Sequence, residues 1–178
     1  MRTLVLGGIR SGKSRWAESW IAERTNAGDT VRYIATGRTT GADPDWGQRI
    51  AAHRHRRPTC WHTVETVDVA TQLSAAPTVP AMVDDLGGWL TAVLDHHGWA
   101  GGSVGSDIDD LLTAVGAVSA DLVLVSPEVG LTVVPATSAG RRFADELGTL
   151  NQRLAASCDR VVLVVAGQPL SVKPAVRG

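Results

Sequence analysis

The fold of this chain is decided by the stretch Gly7-Gly8-Ile9-Arg10-Ser11-Gly12-Lys13-Ser14. It follows the apolar run 3–6 and precedes a segment in which Trp16, Trp20 and Ile21 share one helical face. A Gly-x4-Gly-Lys-Ser motif between a strand and a helix is typical of a phosphate-binding P-loop. The alternative is a glycine-rich turn that binds no ligand. The agreement of all motif positions and of both flanks favours the P-loop.

Each residue type in the motif has a physical role. Gly7 and Gly12 allow backbone conformations that a Cβ atom would exclude, so several amide N–H groups can point at one anion. The helix that begins near Lys13 directs its N-terminal dipole to the same point. Lys13 supplies a positive charge for the β- and γ-phosphates, and Ser14 supplies a hydroxyl for a Mg²⁺ ion that bridges them. The motif therefore predicts a nucleoside triphosphate as ligand.

The hydrophobic pattern predicts strands that alternate with helices. Apolar runs that indicate strands lie at 3–6, 31–35, 79–83, 122–125 and 161–165. Segments with helical character lie at about 14–25, 45–56, 66–74, 87–97, 107–119 and 139–156. The last two apolar runs are continuous, which suits a parallel sheet covered on both faces. We therefore predict an α/β fold with ligands at the carboxyl ends of the strands.

Two stretches are predicted to lack regular structure. The segment 98–106 contains four glycines and is predicted to be a flexible surface loop. The tail 171–178 is predicted to be a frayed end. No second domain is apparent, so the 178 residues are predicted to form a single P-loop domain, 1–178.

Composition restricts the classes of function. The formal net charge is −1, which gives no basic field for nucleic acid or membrane binding. Cys60 and Cys158 are too few and too far apart for a disulfide framework or a zinc site. No apolar run approaches the ~20 residues that span a bilayer, and the N-terminus has no signal-peptide pattern. We therefore expect a cytoplasmic protein with no membrane span.

Acidic and polar residues follow the predicted strands, where ligand contacts concentrate in such folds. Asp84 follows the third strand, in the Walker-B arrangement that orients Mg²⁺. Asp85 is the alternative metal residue, and a helix N-cap is the alternative role for this acidic position. The turn Thr36-Gly37-Arg38 is either a nucleotide contact or a plain loop. Glu128 is a candidate general base, metal-shell ligand or loop-stabilising acceptor.

A cation-rich segment, 45–57, is predicted to be a helix closed by Pro58. Its basic residues are Arg49, His53, Arg54, His55, Arg56 and Arg57. One interpretation is a solvated basic face. The other is a phosphate clamp that carries a nucleophilic imidazole, since neutral imidazole attacks phosphorus and arginines stabilise the developing charge. Glu65, farther along, either accepts hydrogen bonds from a base or ribose or pairs with an arginine.

Together these residues resemble the bifunctional adenosylcobinamide kinase / adenosylcobinamide-phosphate guanylyltransferase family of cobalamin synthesis. The resemblance runs from Leu4 to about Lys173. The P-loop is its least specific part, and the histidine–arginine–tryptophan stretch from Arg49 to Glu65 is its most specific part. Further matches are Tyr33-Ile34-Ala35-Thr36, Val83-Asp84, Trp89-Leu90-Thr91, Glu128-Val129-Gly130, Val134-Pro135, Arg141-Arg142-Phe143, Asp145-Glu146-Leu147-Gly148 and Leu150-Asn151-Gln152-Arg153-Leu154.

The resemblance implies two reactions on one chain. The first phosphorylates the aminopropanol hydroxyl of adenosylcobinamide with ATP or GTP. The second transfers GMP from GTP to that phosphate through a GMP–histidine intermediate, giving adenosylcobinamide-GDP and pyrophosphate. The resemblance also implies a three-layer, RecA-like P-loop NTPase fold, with a mostly parallel sheet and helices on both faces, assembled as a homotrimer.

Roles are carried over by position. The resemblance assigns His53 as the nucleophile, whereas His55 lies where the family has no fixed histidine. From the P-loop motif and the Walker-B position, Lys13 is predicted to be the second catalytic residue, and Ser14 and Asp84 are predicted to hold Mg²⁺. With the P-loop motif, the predicted nucleotide-binding residues are Gly7, Gly8, Ile9, Arg10, Ser11, Gly12, Lys13, Ser14, Thr36, Gly37, Arg38, Arg54, His55, Arg56, Arg57, Glu65 and Asp84.

The chain departs from the family pattern at three places. Pro127 stands where the family usually has Asn, and Ala136-Thr137 stand where it usually has Glu-Asn. After Asp84 the family commonly continues Cys-Leu-Thr-Leu, whereas this chain has Asp85-Leu86-Gly87-Gly88. Since the first two changes remove an amide and a carboxylate near strand ends, we expect any altered contact to involve the corrinoid or Mg²⁺.

Two other functions fit parts of the sequence. A P-loop small-molecule kinase without guanylyl transfer would use only the P-loop, Lys13 and Asp84, with the basic helix as a lid. A non-catalytic GTP-gated binding protein would change a protein interface when GTP binds, but it has no obvious use for His53 among arginines. Covalent guanylylation of a histidine by GTP separates the bifunctional enzyme from both.

Overall fold

The computed structural model describes residues 1–26, 28–37 and 58–174. Within these ranges one sheet contains seven strands: β1 (Arg2–Gly7), β2 (Arg32–Ala35), β3 (His62–Glu65), β4 (Ala81–Asp84), β5 (Leu122–Pro127), β6 (Arg160–Val165) and β7 (Gln168–Lys173). The helices of the same ranges are α1 (Lys13–Ala22), α2 (Val69–Ala75), α3 (Leu86–His97), α4 (Gly105–Ala117) and α5 (Ser138–Ser157).

The strand that leads into the P-loop lies inside the sheet. The strand order is β3-β2-β4-β5-β1-β6-β7, so β1 has β5 and β6 as its parallel neighbours. The other pairs are also parallel, except that β7 runs antiparallel to β6. Because β1 is paired on both edges and covered on both faces, Leu4 and Val5 are both fully buried.

Helices cover both faces of the sheet. Successive residues of a strand point to opposite faces, and Leu4 and Val5 accordingly belong to two separate hydrophobic clusters. The Val5 cluster packs against α1 through Ala17, Trp20 and Ile21. The Leu4 cluster packs against the remaining helices through Val69, Leu73, Leu86, Trp89, Leu90, Leu94, Ile108, Leu111, Leu147, Leu150 and Leu154. The predicted three-layer α/β architecture is confirmed.

The predicted elements in the described ranges are present, with shifted ends. All five predicted strands and the five predicted helices outside 45–56 occur at the expected places. The predicted helix 45–56 lies outside the described residues. Across the described part of the chain, no helix combines the length and apolarity needed to cross a bilayer.

Two strands were not predicted, and both are edge strands. β3 carries exposed His62, Thr63 and Glu65, and exposed positions need no apolar pattern. The prediction of a frayed end from residue 171 is wrong for 171–173, which belong to β7. β7 pairs with β6 through a two-residue turn whose residues, Ala166 and Gly167, both have positive φ, as tight hairpin turns require.

The glycine-rich segment 98–106 is shorter as a loop than predicted. Gly105 already begins α4. The preceding loop is held by Arg142 of α5, whose guanidinium donates hydrogen bonds to the carbonyl oxygens of Gly98, Trp99 and Gly102. A guanidinium satisfies several carbonyls at once because its donors point outward in a fixed plane.

Candidate active site

The glycines of the P-loop stand where side chains would collide. A Cβ atom on Gly7 would lie 2.4 Å from Ser11 Oγ and 2.8 Å from the Val164 carbonyl oxygen. Gly12 has φ +91, and a Cβ atom there would lie 3.2 Å from Gly167 Cα. The loop is therefore packed between β1 and the β6–β7 turn, where the Gly167 amide also donates to the Ser11 carbonyl across 2.7 Å.

The N-terminus of α1 is arranged to receive an anion. Gly12 is its N-cap, with no side-chain capping bond, and no acidic residue lies in the first turn. The first amides of a helix lack intrahelical acceptors, and the helix dipole adds positive potential at that end. In this structure Lys13 Nζ lies 3.4 Å from the Gly8 carbonyl oxygen, so the ammonium folds back over the loop. These groups form a cradle for phosphates.

Ser14 and Asp84 meet beside this cradle. Ser14 Oγ donates a hydrogen bond to Asp84 Oδ1 across 3.0 Å, which brings the first turn of α1 to the end of β4. The other oxygen of Asp84 accepts from the Tyr33 hydroxyl. Tyr33 is buried and stacks against Trp61 with ring centroids 6.4 Å apart. The Asp84 carboxylate is thus oriented by a partner on each oxygen.

Asp85 has a different role. Its carboxylate accepts from the Gly88 amide across 2.8 Å and caps α3. Burial raises the pKa of the Asp85 carboxyl, and the neighbouring Asp84 carboxylate raises it further. The structure therefore separates the two roles left open by the sequence: Asp84 faces the P-loop serine, and Asp85 is the N-cap.

Thr36 also supports the start of α3. Its side chain is buried, and its hydroxyl donates to the Asp85 carbonyl oxygen. Its amide donates to the Asp84 carbonyl oxygen across 3.2 Å. Gly88 leaves room for it, because a Cβ atom at that position would lie 3.2 Å from Thr36 Oγ1. The predicted nucleotide contact of Thr36 therefore stays a prediction beside an observed structural role.

Glu128 stabilises its own loop. Its carboxylate accepts from the Gly130 amide across 2.5 Å, and its amide donates to the Gly7 carbonyl oxygen across 3.1 Å. Of the roles considered for this residue, the structure displays the loop-stabilising acceptor. The hydrogen bond from the Glu128 amide links the loop after β5 directly to Gly7, the first residue of the P-loop.

Tyr33 and Asn151 were not identified as site residues from the sequence. Asn151, buried on α5, accepts from Ser126 Oγ across 2.6 Å and donates from Nδ2 to the Pro127 carbonyl oxygen across 3.0 Å. It thereby holds the end of β5 beside the P-loop. In the sequence, Asn151 is a polar residue on the apolar helical stripe formed by Leu147, Leu150 and Leu154. A polar side chain on a buried stripe indicates a hydrogen-bonding partner inside the fold.

Several predicted site residues lie outside the described residues: Arg38, His53, Arg54, His55, Arg56 and Arg57. Glu65 is described, and it ends β3 opposite Ala35 in the parallel register. Within residues 1–26, 28–37 and 58–174, no group of three or more His, Cys, Asp or Glu side chains gathers as a metal site. Ser14 and Asp84 nevertheless fit a Mg²⁺ ion, because such an ion takes most of its ligands from phosphates and water.

The comparisons with known proteins agree with this geometry. The sequence model of the family described as cobinamide kinase / cobinamide phosphate guanyltransferase matches residues 3–172. The chain belongs to this family. It is therefore a bifunctional enzyme of the cobalamin biosynthesis class, with nucleotides as substrates.

Two curated relatives match over almost the whole chain. The bifunctional adenosylcobalamin biosynthesis protein CobP of Pseudomonas aeruginosa is 43% identical, covering 97% of this chain and 98% of that protein. The bifunctional adenosylcobalamin biosynthesis protein CobU of Salmonella typhimurium is 35% identical, covering 97% and 100%. Since these matches are nearly end to end, the family assignment applies to the fold as a whole.

A solved structure supports the fold alone. A prototypical ATPase from the type III secretion system of pathogenic bacteria matches with a TM-score of 0.53 and 11% identity. The match covers 96% of this chain and 56% of that chain. The predicted P-loop NTPase fold is confirmed.

Proposed function

We propose that this chain phosphorylates adenosylcobinamide with ATP or GTP, then transfers GMP from GTP to the product through a GMP–His53 intermediate. Family membership supports the two reactions. The hydrogen bond between Ser14 Oγ and Asp84 Oδ1, 3.0 Å long, carries the assignment of the site. A hydroxyl and a carboxylate beside a phosphate cradle form the protein's share of a Mg²⁺–nucleotide site.

In the proposed kinase step, the aminopropanol oxygen of the substrate attacks the γ-phosphorus and releases its proton to water. The bond between the γ-phosphorus and its bridging oxygen breaks, and a nucleoside diphosphate leaves. The loop amides and the α1 N-terminus hold the phosphates, and Lys13 stabilises the charge on the bridging oxygen. Ser14 and Asp84 would hold a Mg²⁺ ion, which would supply further positive charge to the phosphates.

In the proposed transfer step, a neutral His53 imidazole attacks the α-phosphorus of GTP and pyrophosphate leaves. A phosphate oxygen of adenosylcobinamide phosphate then attacks the same phosphorus, and the P–N bond breaks to release His53. Arg54, Arg56 and Arg57 neutralise the phosphates during both displacements. The sequence match supports this step. The segment that carries His53 and these arginines lies outside the described residues.

The proposal includes a homotrimer located in the cytoplasm. A trimer would let the basic segment of one subunit meet the nucleotide of a neighbour. The cytoplasm supplies the ATP and GTP that both reactions consume. Sedimentation of the protein with and without GTP tests the trimer.

Intact-mass spectrometry after mixing with GTP and Mg²⁺, without acceptor, tests the central claim. The expected result is one added GMP that resists alkali and is lost in acid, followed by mapping of the adduct to His53. A protein that phosphorylates adenosylcobinamide but gains no adduct would be the simple P-loop kinase. A protein that binds GTP and releases neither pyrophosphate nor nucleoside diphosphate with any corrinoid would be the GTP-gated binding protein.

A further inference from the structure

Four large apolar side chains stand exposed on two loops of the carboxyl edge of the sheet. The exposed fractions are 93% for Ile9, 77% for Leu131, 90% for Val133 and 74% for Val134. We call these four residues the apolar rim. Exposed apolar residues that occur together commonly mark a ligand-binding surface or an interface.

The two loops leave the sheet side by side. Ile9 follows β1 and the other three residues follow β5, and these strands are parallel neighbours with Gly7 opposite Pro127. The Glu128 amide binds the Gly7 carbonyl oxygen across 3.1 Å, so the contact continues past the ends of the strands. Ile9 therefore belongs to the P-loop itself, and the loop that carries Leu131, Val133 and Val134 begins beside it.

Hydrogen bonds at both ends of the loop after β5 hold the segment that exposes Leu131, Val133 and Val134. At its start, Glu128 accepts from the Gly130 amide across 2.5 Å. At its end, the Arg141 guanidinium donates to the carbonyl oxygens of Pro135 and Ala136 across 3.1 and 2.8 Å. The polar groups at both ends are thus satisfied within the protein, while Leu131, Val133 and Val134 are left facing solvent.

We infer that the apolar rim binds the corrin macrocycle of adenosylcobinamide. This inference rests on the proposed function. The acceptor hydroxyl sits on a short arm of the corrinoid and must reach the γ-phosphate held above Lys13, so the macrocycle must lie next to the P-loop. The ring carries a large apolar face, and burying apolar side chains against it is favourable.

The chain offers a matched control for this surface. Val172 is also exposed, at 61%, but it lies on β7 between residues that pair with Val161 and Val162 near the start of β6. That position is at the amino end of β6, whereas the P-loop lies at the carboxyl ends of the parallel strands. Val133→Ser therefore makes a change beyond the carboxyl ends of the parallel strands, and Val172→Ser makes the same chemical change near their amino ends.

The test compares both variants with the unaltered protein in three measurements. Equilibrium dialysis with adenosylcobinamide, read by its visible absorbance, gives the corrinoid Kd, and steady-state kinetics give its KM. Titration with GTP gives the nucleotide Kd. We expect Val133→Ser to raise the corrinoid Kd and KM about 5- to 10-fold, with the GTP Kd changed less than about 2-fold, because only an apolar contact is lost. Val172→Ser is expected to leave all three values unchanged.

Four outcomes would overturn the inference. Equal corrinoid Kd and KM values in the two variants would show that the apolar rim does not contact the corrinoid. A Val133→Ser protein with an altered sedimentation coefficient and an unaltered corrinoid Kd would show that a second copy of the chain covers the rim. Failure of the unaltered protein to phosphorylate adenosylcobinamide would overturn the proposed function, and the rim with it; normal turnover by Val133→Ser at an unchanged KM would overturn the rim alone.

Discussion

Ser14 Oγ donates to Asp84 Oδ1 across 3.0 Å, although 70 positions separate the two residues in the chain. The contact joins the helix after β1 to the end of β4, and β5 lies between these strands in the sheet. Asp84 receives a second hydrogen bond, from Tyr33, on its other oxygen. Because Asp84 has a separate donor on each oxygen, substitutions at Asp84 and at Tyr33 can be compared one at a time.

Asp84→Asn and Asp85→Asn are expected to differ sharply. Asp84→Asn removes the charge that faces Ser14, and kinase activity should fall about 10- to 100-fold while the Mg²⁺ requirement rises. Asp85→Asn should keep activity within about 2- to 3-fold, because asparagine also caps helices. Kinase assays across a Mg²⁺ series check both variants. Equal losses in the two would contradict the division of roles between these neighbours.

Tyr33→Phe removes the hydroxyl on Asp84 and keeps the ring that stacks against Trp61. Loss of such an orienting bond typically weakens metal affinity about 10-fold or more, so half-maximal activity should need more Mg²⁺. The stabilisation of the protein by GTP in a thermal-shift assay should also require more Mg²⁺. An unchanged Mg²⁺ dependence in both measurements would show that the hydroxyl does not orient Asp84.

Gly12→Ala is expected to destabilise the protein and to abolish nucleotide binding. Alanine would have to adopt φ +91, and its Cβ would lie 3.2 Å from Gly167 Cα. The cost of such a conformation is of order 1 kcal/mol or more. Gly148→Ala in α5 is the control, since a Cβ there meets nothing within 4 Å and should stabilise the helix by ~0.5–1 kcal/mol. Urea unfolding and GTP titration report both effects, and normal GTP affinity in Gly12→Ala would refute the prediction.

His53→Ala should lose the covalent GMP label and keep measurable phosphorylation of adenosylcobinamide. His55→Ala is the matched control and should keep the label. Lys13→Ala should impair both reactions, because both need the triphosphate held in the P-loop. Radiolabelled GTP without acceptor, together with a kinase assay, separates the three variants. Equal loss of both activities in folded His53→Ala would contradict the proposed division of labour.

Some features could be predicted because neighbouring residues specify them. The P-loop occupies consecutive positions, and a buried parallel strand such as β5 is a continuous apolar run. Edge strands lack this signal, since β7 is exposed along nearly all of its length. Asn151 could not be predicted as the anchor of Pro127, because its partner comes from a different element of the fold.

The sequence by itself determined the phosphate cradle, the α/β architecture and the family, since each of these depends on local spacing or on motifs in order along the chain. Only the tertiary structure decided which acidic residue faces Ser14, that Tyr33 supports it, and that the loop after β5 begins beside the P-loop. The physical reason is that these relationships depend on strand order, register and helix packing. They join residues that are distant in the chain, and hydrophobic periodicity carries no information about which elements become neighbours.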